Sequence, residues 1–234
     1  MKSTIQSKTK LVNSVFSKVY KKYDLMNDIM SLGIHRIWKN KLIDWMNPQL
    51  NENLIDVASG TGDIARLFSK KNNNSTQITC VEPNDEMRSA GKSNLESFKN
   101  IKWHKAKAEK LPFKNDTYNF YTISYGIRNV SDINLSLKEA LRVLKPGGRF
   151  MCLEFSKIDN EMINLLYQKY SKVIPIFGKY IVGSSEPYNY LIKSINEFYT
   201  QNELANLIKK NGFSNVEYRN LSNGISAIHS GWKI

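Results

Sequence analysis

The fold is decided by the stretch Asn53-Leu54-Ile55-Asp56-Val57-Ala58-Ser59-Gly60-Thr61-Gly62-Asp63. An apolar run with one acidic residue leads into a loop of small residues, and an amphipathic segment over 64–69 follows. This order predicts a strand, a tight turn and the start of a helix. The two glycines let the backbone approach a ligand closely, and the helix N-terminus presents free N–H groups. The third glycine of the dinucleotide fingerprint is missing, so a simple structural turn remains an alternative.

A carboxylate follows the glycine loop at an informative distance. Residues 77–81 predict a second strand, which ends at Glu82, and Pro83 stops it. In βαβ nucleotide sites, an acidic residue about twenty positions after the glycine loop binds the ribose diol. The loop and Glu82 together therefore favour a nucleoside-containing ligand over a structural turn.

The composition is that of a soluble protein with a strong basic excess. The chain has 234 residues, 41% of them hydrophobic, with a formal net charge of +13 and a pI near 9.6. This length suits one domain. The charge fits a nucleic-acid partner, an anionic membrane surface or merely a lysine-rich solvated surface. The basic residues are dispersed and no nucleic-acid-binding motif occurs, so no nucleic-acid partner is expected.

The sequence favours a cytoplasmic protein. No apolar stretch is long enough to span a bilayer, and the first residues lack the apolar region of a signal peptide. Cys80 and Cys152 each lie in an apolar, strand-like run, so we expect two buried free thiols in a reducing compartment. No metal site is expected.

Strands and helices alternate along the centre of the chain. Five predicted strands are followed by a helix over 201–210 and a hairpin around Asn223-Gly224. The pattern predicts an α/β, doubly wound, Rossmann-like, seven-stranded sheet with an antiparallel terminal hairpin that supplies one antiparallel edge strand. We expect a single domain over 1–234, divided into a helical cap (1–50), a cofactor-binding core (51–156), a helical insertion (157–200), and a final helix and hairpin (201–234).

The carboxyl ends of the strands define the expected binding crevice, because ligands of doubly wound sheets bind there. Four segments follow strands and should meet at this edge: Ser59–Gly62, Glu82, Lys107–Glu109 and Ser124–Asn129.

Several motifs together resemble the class I S-adenosylmethionine-dependent methyltransferases. They are the glycine loop, the acidic strand end, Ala108-Glu109-x-Leu111-Pro112-Phe113 and Leu144-Lys145-Pro146-Gly147-Gly148. Two longer signatures resemble those of the quinone-ring C-methyltransferases of ubiquinone and menaquinone biosynthesis. They are Tyr23-Asp24-x-Met26-Asn27-x-x-Met30-Ser31-x-x-x-His35-x-x-Trp38 and Arg142-Val143-Leu144-Lys145-Pro146-Gly147-Gly148-Arg149-Phe150 through Glu154-x-Ser156. The resemblance extends to the closing Ile228-His229-x-Gly231-Trp232.

The resemblance implies S-adenosylmethionine as methyl donor and a set of residues that bind it. These are Asp56, Gly60, Thr61, Gly62, Glu82, Lys107, Ala108 and Ser124. Lys107 departs from the family pattern, which commonly has Asp or Asn there. A charged lysine cannot accept a hydrogen bond from the adenine amine, so backbone groups would hold the ring at this position.

The implied reaction methylates a ring carbon of a polyprenyl benzoquinol, a naphthoquinol or both. The ring carbon becomes nucleophilic when a neighbouring hydroxyl loses its proton. Arg128 is the predicted stabiliser of that phenolate, and an interior ion pair is its alternative role. Tyr23, Asp24, His35 and Tyr125 are candidates for proton handling or substrate orientation, with a packing role as the alternative for His35.

The polyprenyl tail of such a substrate needs an apolar groove and access to a bilayer. The cap and the insertion are the candidates, and basic faces would attract anionic headgroups at the inner face of the membrane. The resemblance also raises a homodimer and contacts with other quinone-biosynthesis enzymes as partners. Three other functions stay open: a methyltransferase of other small molecules, an RNA methyltransferase and a non-catalytic binding module.

Overall fold

The structure is a computed structural model that describes residues 28, 31, 33–158, 161–162, 165, 167–170, 175 and 185–234. Most of the predicted cap, with the candidates Tyr23 and Asp24, and part of the predicted insertion lie outside the described residues. The described helices and strands, labelled here in chain order, are α1 (His35–Met46), β1 (Leu54–Val57), α2 (Asp63–Lys71), β2 (Ile78–Val81), α3 (Asp85–Asn94), β3 (Ile101–His104), β4 (Tyr118–Ser124), α4 (Ile133–Val143), β5 (Leu144–Phe155), α5 (Glu186–Asn196), α6 (Gln201–Lys210), β6 (Ser214–Leu221) and β7 (Ser226–Trp232).

The seven strands form one sheet in the order β3-β2-β1-β4-β5-β7-β6. The first five strands pair in parallel, and β7 is antiparallel to both of its neighbours. The predicted doubly wound sheet with a terminal hairpin is confirmed. The prediction that the antiparallel strand is the edge strand is wrong, because β6 forms the edge. The burial patterns explain this: β7 is almost wholly buried, whereas β6 alternates partly buried and exposed residues, which suits an edge.

Helices cover both faces of the sheet. One apolar cluster includes residues of α1, α2 and α5, and the other includes residues of α4 and α6. Trp38, Leu42 and Met46 of α1 are all buried in the first cluster. Parallel strands covered in this way are buried on both faces, as β1 and β2 are. Helix α1 is therefore part of the apolar cover of the sheet.

Side-chain caps fix where the helices at the binding edge begin. The Asn84 side chain accepts from the Met87 N–H at 2.9 Å, and Asp132 accepts from the Leu135 N–H at 3.0 Å. Asn and Asp are among the preferred N-cap residues, so the sequence itself marks both starts. Helix α3 ends at Asn94, because residues 95–98 close a turn in which the Phe98 N–H donates to the Leu95 carbonyl at 2.9 Å.

Two further expectations concern cysteines and membrane spans. Cys80 and Cys152 are buried free thiols, as predicted. Among the described residues, no helix combines the length and apolar character needed to cross a bilayer.

Candidate active site

The glycine loop after β1 has an unusual backbone. Ala58, Gly60 and Gly62 have φ angles of +52°, +56° and +89°. A Cβ atom on Gly62 would lie 3.1 Å from the Trp103 ring, so this glycine is needed both for its conformation and for packing. The Gly62 N–H donates to the Ser59 carbonyl at 2.9 Å and closes the turn that starts α2.

The loops after β1 and β4 pack directly against each other. A Cβ atom on Gly126 would lie 2.6 Å from the Cβ of Ala58. Tyr125 shares with Ala58 the left-handed conformation that non-glycine residues seldom adopt, with φ of +55°. Uncommon backbone conformations of this kind cluster at binding sites. Two of the segments predicted to meet at the crevice, 59–62 and 124–129, therefore do so.

Glu82 joins the glycine loop to the end of β2. One carboxylate oxygen accepts from the Gly60 N–H at 2.9 Å, and the other accepts from the Asn84 N–H at 2.9 Å. Burial raises the pKa of Glu82, and these two hydrogen bonds oppose the shift. Each oxygen can accept a second hydrogen bond, so the buried carboxylate can still take the two hydroxyls of a ribose.

Asp56, in the middle of β1, is fully buried with half of its carboxylate unused. Its Oδ1 accepts from the Thr122 hydroxyl at 2.7 Å, and its Oδ2 has no hydrogen-bond partner among the described residues. Burial raises the pKa of Asp56 to about 7, against the opposing effects of Thr122 and Lys39. An unpaired buried carboxylate oxygen is costly, and a cationic ligand group would relieve that cost.

Two openings flank Glu82. The first is lined by Lys39, Asp56, Ala58, Ser59, Gly60, Thr61, Asp63, Ile64, Ser124 and Tyr125. The second is lined by Pro83, Asn84, Asp85, Glu86, Lys105, Ala106 and Lys107. Glu82 accepts from Gly60, which lines the first opening, and from Asn84, which lines the second, so a ribose bound at Glu82 would lie next to both openings.

The predicted cofactor residues occupy this region in different ways. Thr61 is nearly buried and lines the first opening, where the buried Ser124 hydroxyl has no hydrogen-bond partner among the described residues. The exposed Lys107 lines the second opening, whereas Ala108 is buried beside it. Thr61, Glu82, Ser124 and Lys107 thus lie in or beside the segments that follow four neighbouring strands of the sheet.

Arg128 forms a buried ion pair, one of the two roles that the sequence left open. It lies in a short 3₁₀ turn after β4, and its guanidinium donates to the Glu154 carboxylate at the end of β5. The two side chains are 4% and 1% exposed. Arg128 also donates to the Tyr125 carbonyl at 3.0 Å and lies over the Phe155 ring. Burial raises the pKa of Glu154, while the charge of Arg128 opposes that shift.

His35 is buried at the start of α1 and is held by a carboxylate. Its Nε2 lies 2.8 Å from Asp28 Oδ1. Hydrogen bonds from Arg36 lower the pKa of Asp28 to about 2, and burial lowers the pKa of His35. The imidazole is therefore neutral at physiological pH and fixed in orientation, which is compatible with both roles considered for it.

Two residues at the site were missed from the sequence. Lys39 lines the first opening from α1, and Glu154 anchors Arg128. A signal existed for both. Lys39 follows His35 by four residues, so it lies on the buried face of α1 where a charge is unexpected. Glu154 lies in the quoted signature at the end of a buried strand, where an unpaired carboxylate would be costly.

These residues fit S-adenosylmethionine. Glu82 suits the ribose, and the unpartnered Asp56 oxygen suits a cation in the first opening. A doubly wound sheet with this strand order and terminal hairpin is the Rossmann-like fold found in class I methyltransferases.

Comparison with known proteins identifies the family. The model of the ubiE/COQ5 methyltransferase family matches residues 3–233, so the chain belongs to this family and S-adenosylmethionine is its cofactor. Relatives named "Ubiquinone/menaquinone biosynthesis C-methyltransferase UbiE" include that of Rickettsia bellii (strain OSU 85-389), 50% identical over 97% of this chain and 94% of the relative. The relative from Rickettsia massiliae (strain Mtu5) is 51% identical over a region that covers 95% of this chain and 92% of the length of that relative.

A solved structure supports the fold. A SAM-dependent methyltransferase from Thermotoga maritima, titled a possible histamine N-methyltransferase, aligns with a TM-score of 0.68 at 20% identity. The alignment covers 94% of this chain and 99% of that one.

Cofactor affinity should depend on pH through Asp56. In the folded protein its pKa is about 7, so the carboxyl group is mostly protonated at pH 6 and mostly ionised at pH 8. A cationic ligand group favours the ionised form, but the α-amino group of the ligand has a pKa of about 8 and is partly neutral at pH 8. S-adenosylmethionine should therefore bind about four-fold more tightly at pH 8 than at pH 6. Asp56→Asn keeps an acceptor for the Thr122 hydroxyl. This variant should bind S-adenosylmethionine more weakly, and its affinity should not rise between pH 6 and pH 8. Calorimetry at both pH values measures this, and an equal pH dependence in both proteins would contradict the role of Asp56.

The Arg128–Glu154 pair should show strong coupling in stability. Arg128→Met leaves a buried carboxylate uncompensated and should lower the free energy of unfolding by about 3–5 kcal/mol. Replacing Glu154 with Leu in the same chain removes that charge and should recover most of the loss. Urea unfolding of the two single variants and the double variant measures the coupling. Additive losses in the double variant would argue against a tightly coupled pair.

Proposed function

We propose that the enzyme methylates a ring carbon of a polyprenyl quinol in respiratory quinone biosynthesis. The observation that carries this proposal is the identity of about 50% with relatives of that name over nearly their whole length. The candidate site supports it, because Glu82 and Asp56 offer hydrogen-bond acceptors suited to the ribose and to a cationic group of S-adenosylmethionine. The acceptor would be a benzoquinol, a naphthoquinol or both.

The described residues around Arg128, where we propose that the acceptor ring binds, suit an aromatic molecule. Tyr125 packs against Phe155 with ring centroids 4.9 Å apart. Helix α5 packs over the turn that carries Arg128, where the Tyr190 hydroxyl donates to the Asn129 side chain at 2.9 Å. Aromatic surfaces with polar edges hold a ring that is itself apolar with hydroxyl substituents.

Arg128 is the proposed stabiliser of the phenolate. When bound, S-adenosylmethionine supplies an electrophilic methyl group. The guanidinium stays charged throughout, so it favours the deprotonated acceptor electrostatically and does not itself serve as a free base. Glu154 holds Arg128 in place and also partly cancels its charge. The stabilisation of the phenolate therefore depends on how the guanidinium is oriented as well as on its presence.

A second task of the protein is to remove the proton from the hydroxyl group of the acceptor ring. The neutral His35, oriented by Asp28, has the protonation state of a base. Tyr23 and Asp24 remain predictions for the same task. The position of His35 on α1, one turn from Lys39, keeps it near the first opening.

Methyl transfer to two reduced acceptors tests the function. Labelled S-adenosylmethionine should donate to a demethylated polyprenyl benzoquinol, to demethylmenaquinol or to both. Arg128→Lys keeps a charge against Glu154 but loses the planar fork, so kcat should fall about 100-fold with cofactor affinity retained. Transfer to neither acceptor, with intact cofactor binding, would overturn the substrate proposal. Methylation of RNA or of another small molecule would then identify the alternative.

Peripheral association with an anionic membrane is proposed as the route to the tail of the substrate. The net charge of +13 and the exposed apolar side chains Met162 and Leu165 in the insertion support it. Flotation with vesicles rich in anionic lipid should carry the protein at low salt, and substitution of both side chains by Ser should weaken it. No flotation at low salt would contradict the proposal. A homodimer and contacts with other enzymes of the pathway stay predictions.

A further inference from the structure

Lys39 is a buried cation in the wall of the cofactor site. Its side chain is 8% exposed, although lysine is seldom buried without a partner. The ammonium donates to Asp63 Oδ2 at 2.7 Å, and Asp63 is the first residue of α2, directly after the glycine loop. A contact from the helical cap therefore reaches the loop that holds the cofactor.

The charge of Lys39 acts on the carboxylates of the first opening. Burial opposes the ionisation of Asp63, but Lys39, helped by Arg66, keeps the pKa of that carboxyl below its usual value. Lys39 also opposes the raised pKa of Asp56. One ammonium and two carboxylates therefore surround the same small opening.

This set of charges complements an amino acid. The cofactor ends in a carboxylate and an ammonium on one carbon, and both need partners when they leave water. The unpartnered oxygen of Asp56 suits the ammonium. Lysine has three N–H donors, of which Asp63 takes one, so Lys39 can also donate to an anion. The N-terminus of α2, which has no side-chain cap, adds to the positive potential there.

We propose that Lys39 binds the carboxylate of the amino-acid end of S-adenosylmethionine. Helix α1 then forms one wall of the cofactor site, in addition to covering the sheet. Asp63 positions Lys39 through its hydrogen bond to the ammonium. The proposal concerns the cofactor alone, so it holds whichever ring accepts the methyl group.

A purely structural clamp between α1 and α2 is the competing explanation. Both explanations predict weaker cofactor binding when Lys39 is removed, so affinity for one ligand does not separate them. A ligand that lacks only the carboxylate does separate them, because a clamp would affect both ligands equally.

The test compares S-adenosylmethionine with its decarboxylated form by calorimetry. Lys39→Met should weaken binding of S-adenosylmethionine about 10- to 100-fold, as for a lost charge-assisted hydrogen bond. Binding of the decarboxylated form should change by no more than about two-fold. Lys41→Met, at an exposed position on the same helix, is the matched control and should leave both affinities unchanged. Equal weakening of both ligands, or no weakening, would overturn the proposal.

Asp63→Asn separates the ion pair from the ligand contact. The variant keeps an amide oxygen that can still accept the Lys39 hydrogen bond and so position the ammonium, and it removes only the competing charge. S-adenosylmethionine should therefore still bind better than its decarboxylated form. Loss of that preference in Asp63→Asn would show that the ion pair is what the cofactor requires and would overturn direct binding by Lys39. Thermal unfolding of each variant verifies that the comparison is made on folded protein.

Discussion

The geometry of the site depends on the two hydrogen bonds that Glu82 accepts from the Gly60 and Asn84 backbones. They fix the glycine loop against the end of β2 and place one carboxylate between the two openings. Because both donors are backbone groups, this arrangement depends on the positions of the strands and on one side-chain rotamer, that of Glu82. Each Glu82 oxygen retains a second lone pair that can accept from a ribose hydroxyl of the cofactor.

Around that fixed point, the site keeps several charges out of water. Asp56 has a raised pKa because it is buried with one unpartnered oxygen, whereas Asp63 has a lowered pKa because Lys39 lies against it. Arg128 and Glu154 neutralise each other at the neighbouring strand ends. Such groups are costly for the empty protein. A zwitterionic ligand with a cationic sulfur matches them, and this is the kind of molecule that the enzyme uses.

Much of this arrangement could be predicted from the sequence. The caps at Asn84 and Asp132 are recognised from a few neighbouring residues. The spacing between the glycine loop and Glu82 is recognised within one βαβ unit. Lys39 and Glu154 were missed, because no spacing rule pairs them with Asp63 and Arg128, and both contacts arise only from the packing of the elements. The order of the last two strands was missed for the same reason, since hairpin signals fix pairing but not which strand joins the sheet.

The sequence by itself determined the class of fold, the ligand-binding edge and the family. Hydrophobic periodicity and turn residues act over short distances, and the family signatures are read without any structure. Only the tertiary structure decided which charges meet. Packing between separate elements decides whether Arg128 lies beside a substrate anion or pairs with an interior carboxylate. It also decides whether Lys39 is solvated or lies at the cofactor loop. Burial then sets the pKa of Asp56, because desolvation is a property of the folded interior and not of the residue.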